Sequence, residues 1–290
     1  SGKYKASYIS NEDYHNLKVL NRLKKSLDDK MKSIQREIST VIATVNPEIE
    51  KVFPNIFSKT AMAIIKAYPT AMNISKATPE KLTKLFRHIK GNNFSEDKAE
   101  YLISLAKTSI YTGRAYESRA LMIKTNIKIL ELYIQEKDEV EKQIQDLIDN
   151  QLDDDSTNIN NVKSIPGVSV KTVSAILGEC GDLRRFESAK AFIGFLGLYP
   201  TLYQSGKSFS SGALAKRGIP IAKHALYMAA VSSVRHNTEL HKLFRDKVSA
   251  GKSKKEALII IAKKLASIIY SLFKYNQPYK PHRVLIQHKR

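Results

Sequence analysis

Apolar residues recur at three- and four-residue steps through the first part of the chain. Leu17, Leu20, Leu23, Leu27, Met31, Ile34, Ile38, Val41 and Val45 make one such series. These steps return side chains to one side of a 3.6-residue helix, so the series predicts an amphipathic helix of about eight turns. Ser10 followed by Asp13 resembles a helix-start capping pattern. Asn46-Pro47 predicts the end, because proline cannot continue the hydrogen-bond ladder.

Residues 53–112 read as shorter helices broken at Pro54, Pro69, Pro79 and Gly91-Asn92-Asn93. A second long helix is predicted after Gly113. Leu130, Tyr133, Val140, Ile144 and Leu147 fall on its seam, Lys137 interrupts it, and Glu131, Glu136, Glu139, Glu141, Lys142 and Asp146 surround it with charge. Two such helices either form a hairpin within one chain or build a coiled-coil dimer, and the pattern fits both. Asp153-Asp154-Asp155 with the polar stretch 156–161 reads as a solvated linker, since consecutive carboxylates on an irregular loop do not converge on one ion.

The last domain has short helices around a glycine-punctuated centre, an extended piece or two near 196–210, then helices over 219–234 and 253–275. In the second of these, Ala257, Ile260, Ile261, Lys264, Leu265, Ile268 and Leu272 form the buried face, with Lys254, Lys255 and Lys263 at its edges. The expectation is a mainly α chain in three parts: a helical scaffold over 1–112, a long coiled-coil-like helix and linker over 113–161, and a final domain over 162–290.

Charge narrows the partner. Lys and Arg number 48 against 28 Asp and Glu, a formal net charge of +20. From 207 onward the basic residues number 18 against three acidic ones, Glu239, Asp246 and Glu256. A surplus of this size suits a polyanion, because each neutralised phosphate releases counterions. Cys180 is the single cysteine, so a disulfide framework and a thiolate zinc site are excluded. The histidines are scattered, no apolar run reaches the roughly 18 residues of a membrane span, and the first residues do not read as a signal peptide. A soluble, cytoplasmic protein is expected, with no membrane partner.

Residues 164–218 carry the candidate chemistry. Ile165-Pro166-Gly167-Val168, leading into Thr172-Val173-Ser174-Ala175-Ile176-Leu177, has the spacing of a helix–hairpin–helix turn. Gly167 would let the turn approach a phosphate, and the following helix would offer free N–H groups; an ordinary connection between two helices has the same spacing. In Asp182-Leu183-Arg184-Arg185-Phe186, Arg184 and Arg185 are candidates to clamp phosphates bidentately or are exposed helix-edge charges, and Phe186 is expected in the core. In Gln204-Ser205-Gly206-Lys207-Ser208 the Ser205 hydroxyl needs a base or nearby cations to act as a nucleophile, and Lys207, Lys216, Arg217 and Lys223 are the cations at hand. Ser208, Ser210 and Ser211 share that loop, and Tyr199 and Tyr203 are alternative nucleophiles by chemistry. A serine–histidine–aspartate order is lacking.

This run resembles the C-terminal domain of the DEDD-type insertion-sequence transposases, the insertion-sequence-110 family. The resemblance rests on Ile165-Pro166-Gly167-Val168, Gly181-Asp182 with Arg185-Phe186, Ala191, Gly197-Leu198-Tyr199-Pro200, Ser205-Gly206 and Lys216-Arg217-Gly218. It continues to Ala229-Ala230, Gly251-Lys252 and Ala257, and upstream to Gly2-Lys3-Tyr4, Tyr8-Ile9 and the stretch 46–53. It implies an RNA-guided DNA recombinase in which a bridging RNA aligns donor and target DNA and Ser205 attacks a phosphodiester. It further implies a homo-oligomer built through the long helices. Magnesium is expected only with an acidic nuclease-like N-terminal domain, and none within this chain. Two positions depart from the family pattern. Ile219 stands for the usual asparagine, and Ala222-Lys223 for the usual Leu-Arg, which loses the planar guanidinium fork. No acidic domain precedes Tyr4, so the chain reads as the C-terminal portion of such a protein. The rivals are a non-catalytic DNA- or RNA-binding helical module and a coiled-coil assembly domain.

Overall fold

The computed structural model describes residues 11–85, 89, 94–111, 113–150, 152, 156–205, 208–214 and 217–281; of 156, 157, 200–205 and 208–214 it describes the backbone. The fold is mainly α, with one two-stranded antiparallel hairpin. The chain divides into two compact units, 26–139 and 1–25 with 140–290. This differs from the sequential division into three, because the boundaries fall inside the two longest helices. Those are α1, Glu12–Val45, and α7, Tyr116–Asn150.

The unit over 26–139 holds its own core. Its elements between the long helices are α2 (Ile49–Val52), α3 (Lys59–Ala67), α4 (Ala71–Ser75), α5 (Pro79–Lys84) and α6 (Glu96–Lys107). Four of them are started by a hydroxyl. Ser58, Thr70, Thr78 and Ser95 each accept a hydrogen bond from the backbone N–H three residues on, satisfying a donor the helix cannot. Ile38, Ile42 and Val45 of α1 bury against Ile64, Ile65, Ile74, Leu82, Leu102 and, from α7, Ile123 and Ile127. The two long helices pair antiparallel in this unit. Lys137 bridges Asp28 at 2.6 Å, Lys30 lies over the Tyr133 ring, and Asn126 reaches Glu37, the position falling along α7 as it rises along α1. The seam-breaking Lys137 is thereby accounted for by a carboxylate on α1.

The other unit is built on α13, Lys254–Tyr275, which packs against α8 (Ser156–Lys163), α10 (Ala189–Leu196), α11 (Pro220–His236) and α12 (Thr238–Ser249). Ala257, Ile261, Leu265, Ile269 and Phe273 lie buried along it. α9, Val170–Cys180, packs on α11 and is buried over most of its length. Burial pushes the Cys180 thiol up to about 12, so it is a small core residue and not a reactive thiol. Phe186 is in the core as expected, beside Phe192 and Phe195.

Two sequence expectations are corrected here. The stretch 156–161 belongs to α8 and is not a linker, because Ile159 and Val162, three apart, bury one side of it. The helix α12 was not anticipated; Asn237 starts it by accepting from the N–H groups of Glu239 and Leu240. The aspartate run 153–155 lies outside the described residues, as do Gly2-Lys3-Tyr4, Tyr8-Ile9 and Gly91-Asn92-Asn93.

Candidate nucleic-acid interface

The connection between α8 and α9 is a tight turn. Val168 N–H donates to the Ile165 carbonyl, and Ile165 and Val168 are buried on either side of Pro166-Gly167. Gly167 has a φ of +91°, which disfavours any residue with a Cβ. A Cβ there would meet the Ser233 backbone N and Cα of α11 at 2.5 Å. The close approach that glycine permits is thus to α11. The turn joins two helices, and its need for glycine follows from its positive φ and from this packing.

The two arginines sit on a short 3-10 turn, Leu183–Arg185, started by Asp182. Asp182 Oδ1 accepts from the Arg184 N–H at 2.8 Å and from its Nε at 2.9 Å, and the Arg184 guanidinium lies 5.7 Å from the Phe273 ring centre. Arg185 Nε donates to the Cys180 carbonyl at 3.0 Å. Its guanidinium carbon lies 4.2 Å from the Phe186 ring centre and 4.9 Å from that of Phe195. Both residues are exposed, yet each fork is oriented by its own domain. Two rings tilted 56° to each other and a backbone carbonyl confine the guanidinium, a pre-organisation that suits recognition of a phosphate.

Between α10 and α11 the chain leaves as a hairpin arm, β1 (Pro200–Ser205) and β2 (Ser208–Leu214). Its register pairs Leu202 with Ser211 and Gln204 with Phe209, and closes on Ser205 opposite Ser208, with an irregularity between Pro200 and Leu202. Ser205 therefore stands at the last pair before the two-residue connection. Its side chain, Lys207 and Lys216 lie outside what the structure describes.

The root of the arm is pinched. Gly197 ends α10 in a left-handed conformation, φ +76°, and Gly218 precedes α11 with φ +107°. A Cβ on Gly197 would lie 2.2 Å from the Arg217 carbonyl oxygen, and one on Gly218 would lie 2.3 Å from that of Leu196. The Ile219 N–H donates to the same Leu196 carbonyl at 3.3 Å. Lys223, one turn into α11, donates from Nζ to the Arg217 carbonyl at 3.0 Å. Arg217 itself is exposed.

The structure gathers Arg217, Lys223 and the backbone flanking the arm at one end of α11. Gly167 meets α11 at Ser233, ten residues further on, or roughly 15 Å along the helix axis. Arg184 packs on the distal part of α13. The motif-led reading did not single out Lys242, Arg245 and Lys247, which follow no glycine or serine signature, and it quoted Lys252 only within Gly251-Lys252; a plain charge tally along 242–255 finds all four. It also placed Lys264 on the buried face without a partner in view. Lys264 is buried, and desolvation holds its ammonium below the usual lysine range, with Glu239 opposing that shift. Among the described residues no three His, Cys, Asp or Glu side chains converge as a metal site, and no helix is long and apolar enough to cross a membrane.

A family model falls on the same region. Residues 159–245 match the family model for the Transposase IS116/IS110/IS902 family, from within α8 to within α12. A pilin gene-inverting protein of Moraxella bovis is 33% identical over 118 residues, 40% of this chain and 37% of that protein. An insertion element IS110 protein of Streptomyces coelicolor is 25% identical over 111 residues, 38% of this chain and 27% of that protein. A probable family 20 transposase of Pseudomonas aeruginosa is 24% identical over 126 residues, 42% of this chain and 37% of that protein. The matched stretches thus span well under half the length of each relative.

Proposed function

We propose that this chain is the C-terminal portion of a DNA transposase or recombinase, with Ser205 as the nucleophile that carries the strand. The observation that supports it most is the family match over 159–245, which encloses the hairpin arm with Ser205 at its closing pair. A pilin gene-inverting protein and a probable transposase are among the similar proteins, and rearrangement of DNA is the common theme of their names.

In this reading the Ser205 oxygen attacks a backbone phosphorus. One P–O bond to a deoxyribose breaks as the Oγ–P ester forms, and the leaving sugar oxygen takes up the proton that the serine gives up. The count of phosphate ester bonds is unchanged, so a second strand's hydroxyl can reverse the step and seal a new junction without an external energy source. Charge that builds on the phosphoryl oxygens is met by cations held at the root of the arm, among them Arg217 and Lys223, and by Arg185. A bridging RNA would choose the DNA, and a homo-oligomer would bring two strands together. Magnesium, in this reading, is held by acidic residues of a nuclease-like domain outside the residues described here, where it would polarise a phosphate.

A trapping assay tests this. The chain, with and without a nuclease-like half, is incubated with RNA, magnesium and DNA, and a protein–DNA adduct is sought on a denaturing gel. An adduct lost in Ser205→Ala, with DNA binding intact, is the expected outcome. Cleavage without a Ser205-dependent adduct defeats the serine assignment. Binding without any cleavage in the supplemented reaction favours a non-catalytic nucleic-acid module.

A further inference from the structure

The corner between α12 and α13 holds an unusual balance of charge. Lys242, Arg245 and Lys247 lie on α12 around the single carboxylate of Asp246, Lys252 lies in the connection, and Lys254 and Lys255 open α13. None of these six forms an ion pair with a described residue. Five are exposed, and Lys247 is half-buried.

The corner is also rigidly built. The Gly251 N–H donates to the Val248 carbonyl and the Lys252 N–H to that of Lys247, closing α12 in a Schellman-type end. Ser253 then starts α13 with a reciprocal cap: its Oγ accepts from the Glu256 N–H at 3.3 Å, and its own N–H donates to Glu256 Oε2 at 2.9 Å. The one carboxylate of that turn is therefore occupied by the backbone and Ser253 Oγ. Lys254 and Lys255 occupy the first turn of α13, where the helix dipole is already positive and cations are disfavoured. Folding gains nothing from lysines at those positions. A surface that concentrates cations at a helix N-terminus, against local stability, is shaped for an anion supplied from outside.

The repeat of the charges selects the anion. Six cations spread over a helix, a turn and a second helix suit a chain of phosphates better than a single one. The corner lies at one end of α13, and Arg184 over Phe273 lies near the other, roughly 28 Å away along a helix axis with 1.5 Å rise. At about 3.4 Å per phosphate step that is the length of some eight base pairs.

We propose that the α12–α13 corner is a second DNA contact, gripping the backbone of a duplex away from the serine arm through Lys242, Arg245, Lys247, Lys252, Lys254 and Lys255. It reads phosphates, not bases, so it anchors DNA of any sequence. It lies largely beyond the residues that the family model matches. The proposal rests on the nucleic-acid part of the reading above and not on the serine chemistry.

The test is the salt dependence of binding to a short duplex DNA of arbitrary sequence, followed by fluorescence anisotropy on the full chain. With Lys252, Lys254 and Lys255 changed to alanine together, the slope of log K against log salt should become shallower by about 2.7, or about 0.9 for each lost phosphate contact. Arginine at the same three positions should restore it. An unchanged slope in the triple alanine variant, with duplex binding intact and an unaltered thermal melt, overturns the proposal. A loss confined to a double-stranded RNA of the same sequence also overturns it, because the partner would then be RNA. Persistence of the corner effect in Ser205→Ala is expected, and keeps this result separate from the fate of the serine mechanism.

Discussion

Cations crowd two places on the same compact unit, and the protein treats them in opposite ways. Where α9 faces α1 and α7, three cations each have an acid. Glu141 takes Lys24 at 3.2 Å and Lys171 at 2.8 Å, and Glu179 takes Arg22 at 2.8 Å. At the α12–α13 corner six cations form no ion pair with a described residue, Lys252 acts on Glu256 only through its charge, and that glutamate is spent on a helix cap. Neutralised charge ties elements of the fold together, whereas unmatched charge adds only repulsion to the folded state. The difference separates charge kept for folding from charge kept for an outside partner.

Glu141 is the sharpest place to break that contrast. Its removal leaves the largely buried Lys24 unmatched, and Glu141→Ala should cost about 1–2 kcal/mol in urea unfolding at neutral pH. Burial draws the Glu141 carboxyl upward, but hydrogen bonds and charge from Lys171 and Lys24 outweigh it and leave its pKa below the usual range. A carboxyl depressed in the folded state stabilises fully above its unfolded value of about 4.3, and that contribution fades as pH falls through the lower folded value. The parent should therefore lose its advantage over Glu141→Gln in acid, and a gap that is constant across the titration would contradict the assignment.

Ser253→Ala comes next. Loss of the cap should lower stability by about 1 kcal/mol while leaving every lysine of the corner in place. Smaller and opposite in sign, Lys254→Glu with Lys255→Glu should raise stability by about 0.5 kcal/mol or more, since acids replace cations at the positive end of a helix. A fall in the thermal midpoint would mean that those lysines serve the fold after all. Smallest of all, Lys242→Ala should change stability by no more than about 0.5 kcal/mol, as expected of an exposed side chain without an ion pair.

The long elements were legible because their information is local and repeated. A three- and four-residue stripe with a cap at one end and Pro47 at the other predicts α1 almost to the residue. The stripe still misplaces detail: Leu23, read on the seam, is 43% exposed, while Ile42, left off it, is buried. A helix drifts against any fixed repeat, so partners decide which edge of a stripe is covered. The short helices over 49–107 were harder, since they are too brief to show a period and depend on single hydroxyl caps. The hairpin arm was foreseen only as extended chain near 196–210.

At the candidate interface, residue types were readable and their roles were not. Arg185 becomes confined only when Phe195 and the Cys180 carbonyl come to it in space. Gly167 announces a tight approach, but nothing in the run 165–168 says that α11 is what approaches. Ser205 stands out through a resemblance, because one serine among Ser205, Ser208, Ser210 and Ser211 has no local chemistry that marks it.

The paired glycines at the root of the arm have a consequence for how such a protein changes over generations. Gly197 and Gly218 bring the ends of the excursion together by main-chain contact, so the cost of closing the loop is met at its base. Chain added or removed beyond that point alters closure entropy only slowly, by about 0.6 kcal/mol for each doubling of length. Insertions, deletions and rewritten residues between the two glycines therefore leave α10 and α11 joined as before. The length of the arm can thus change while the helical body and its closing contact stay as they are.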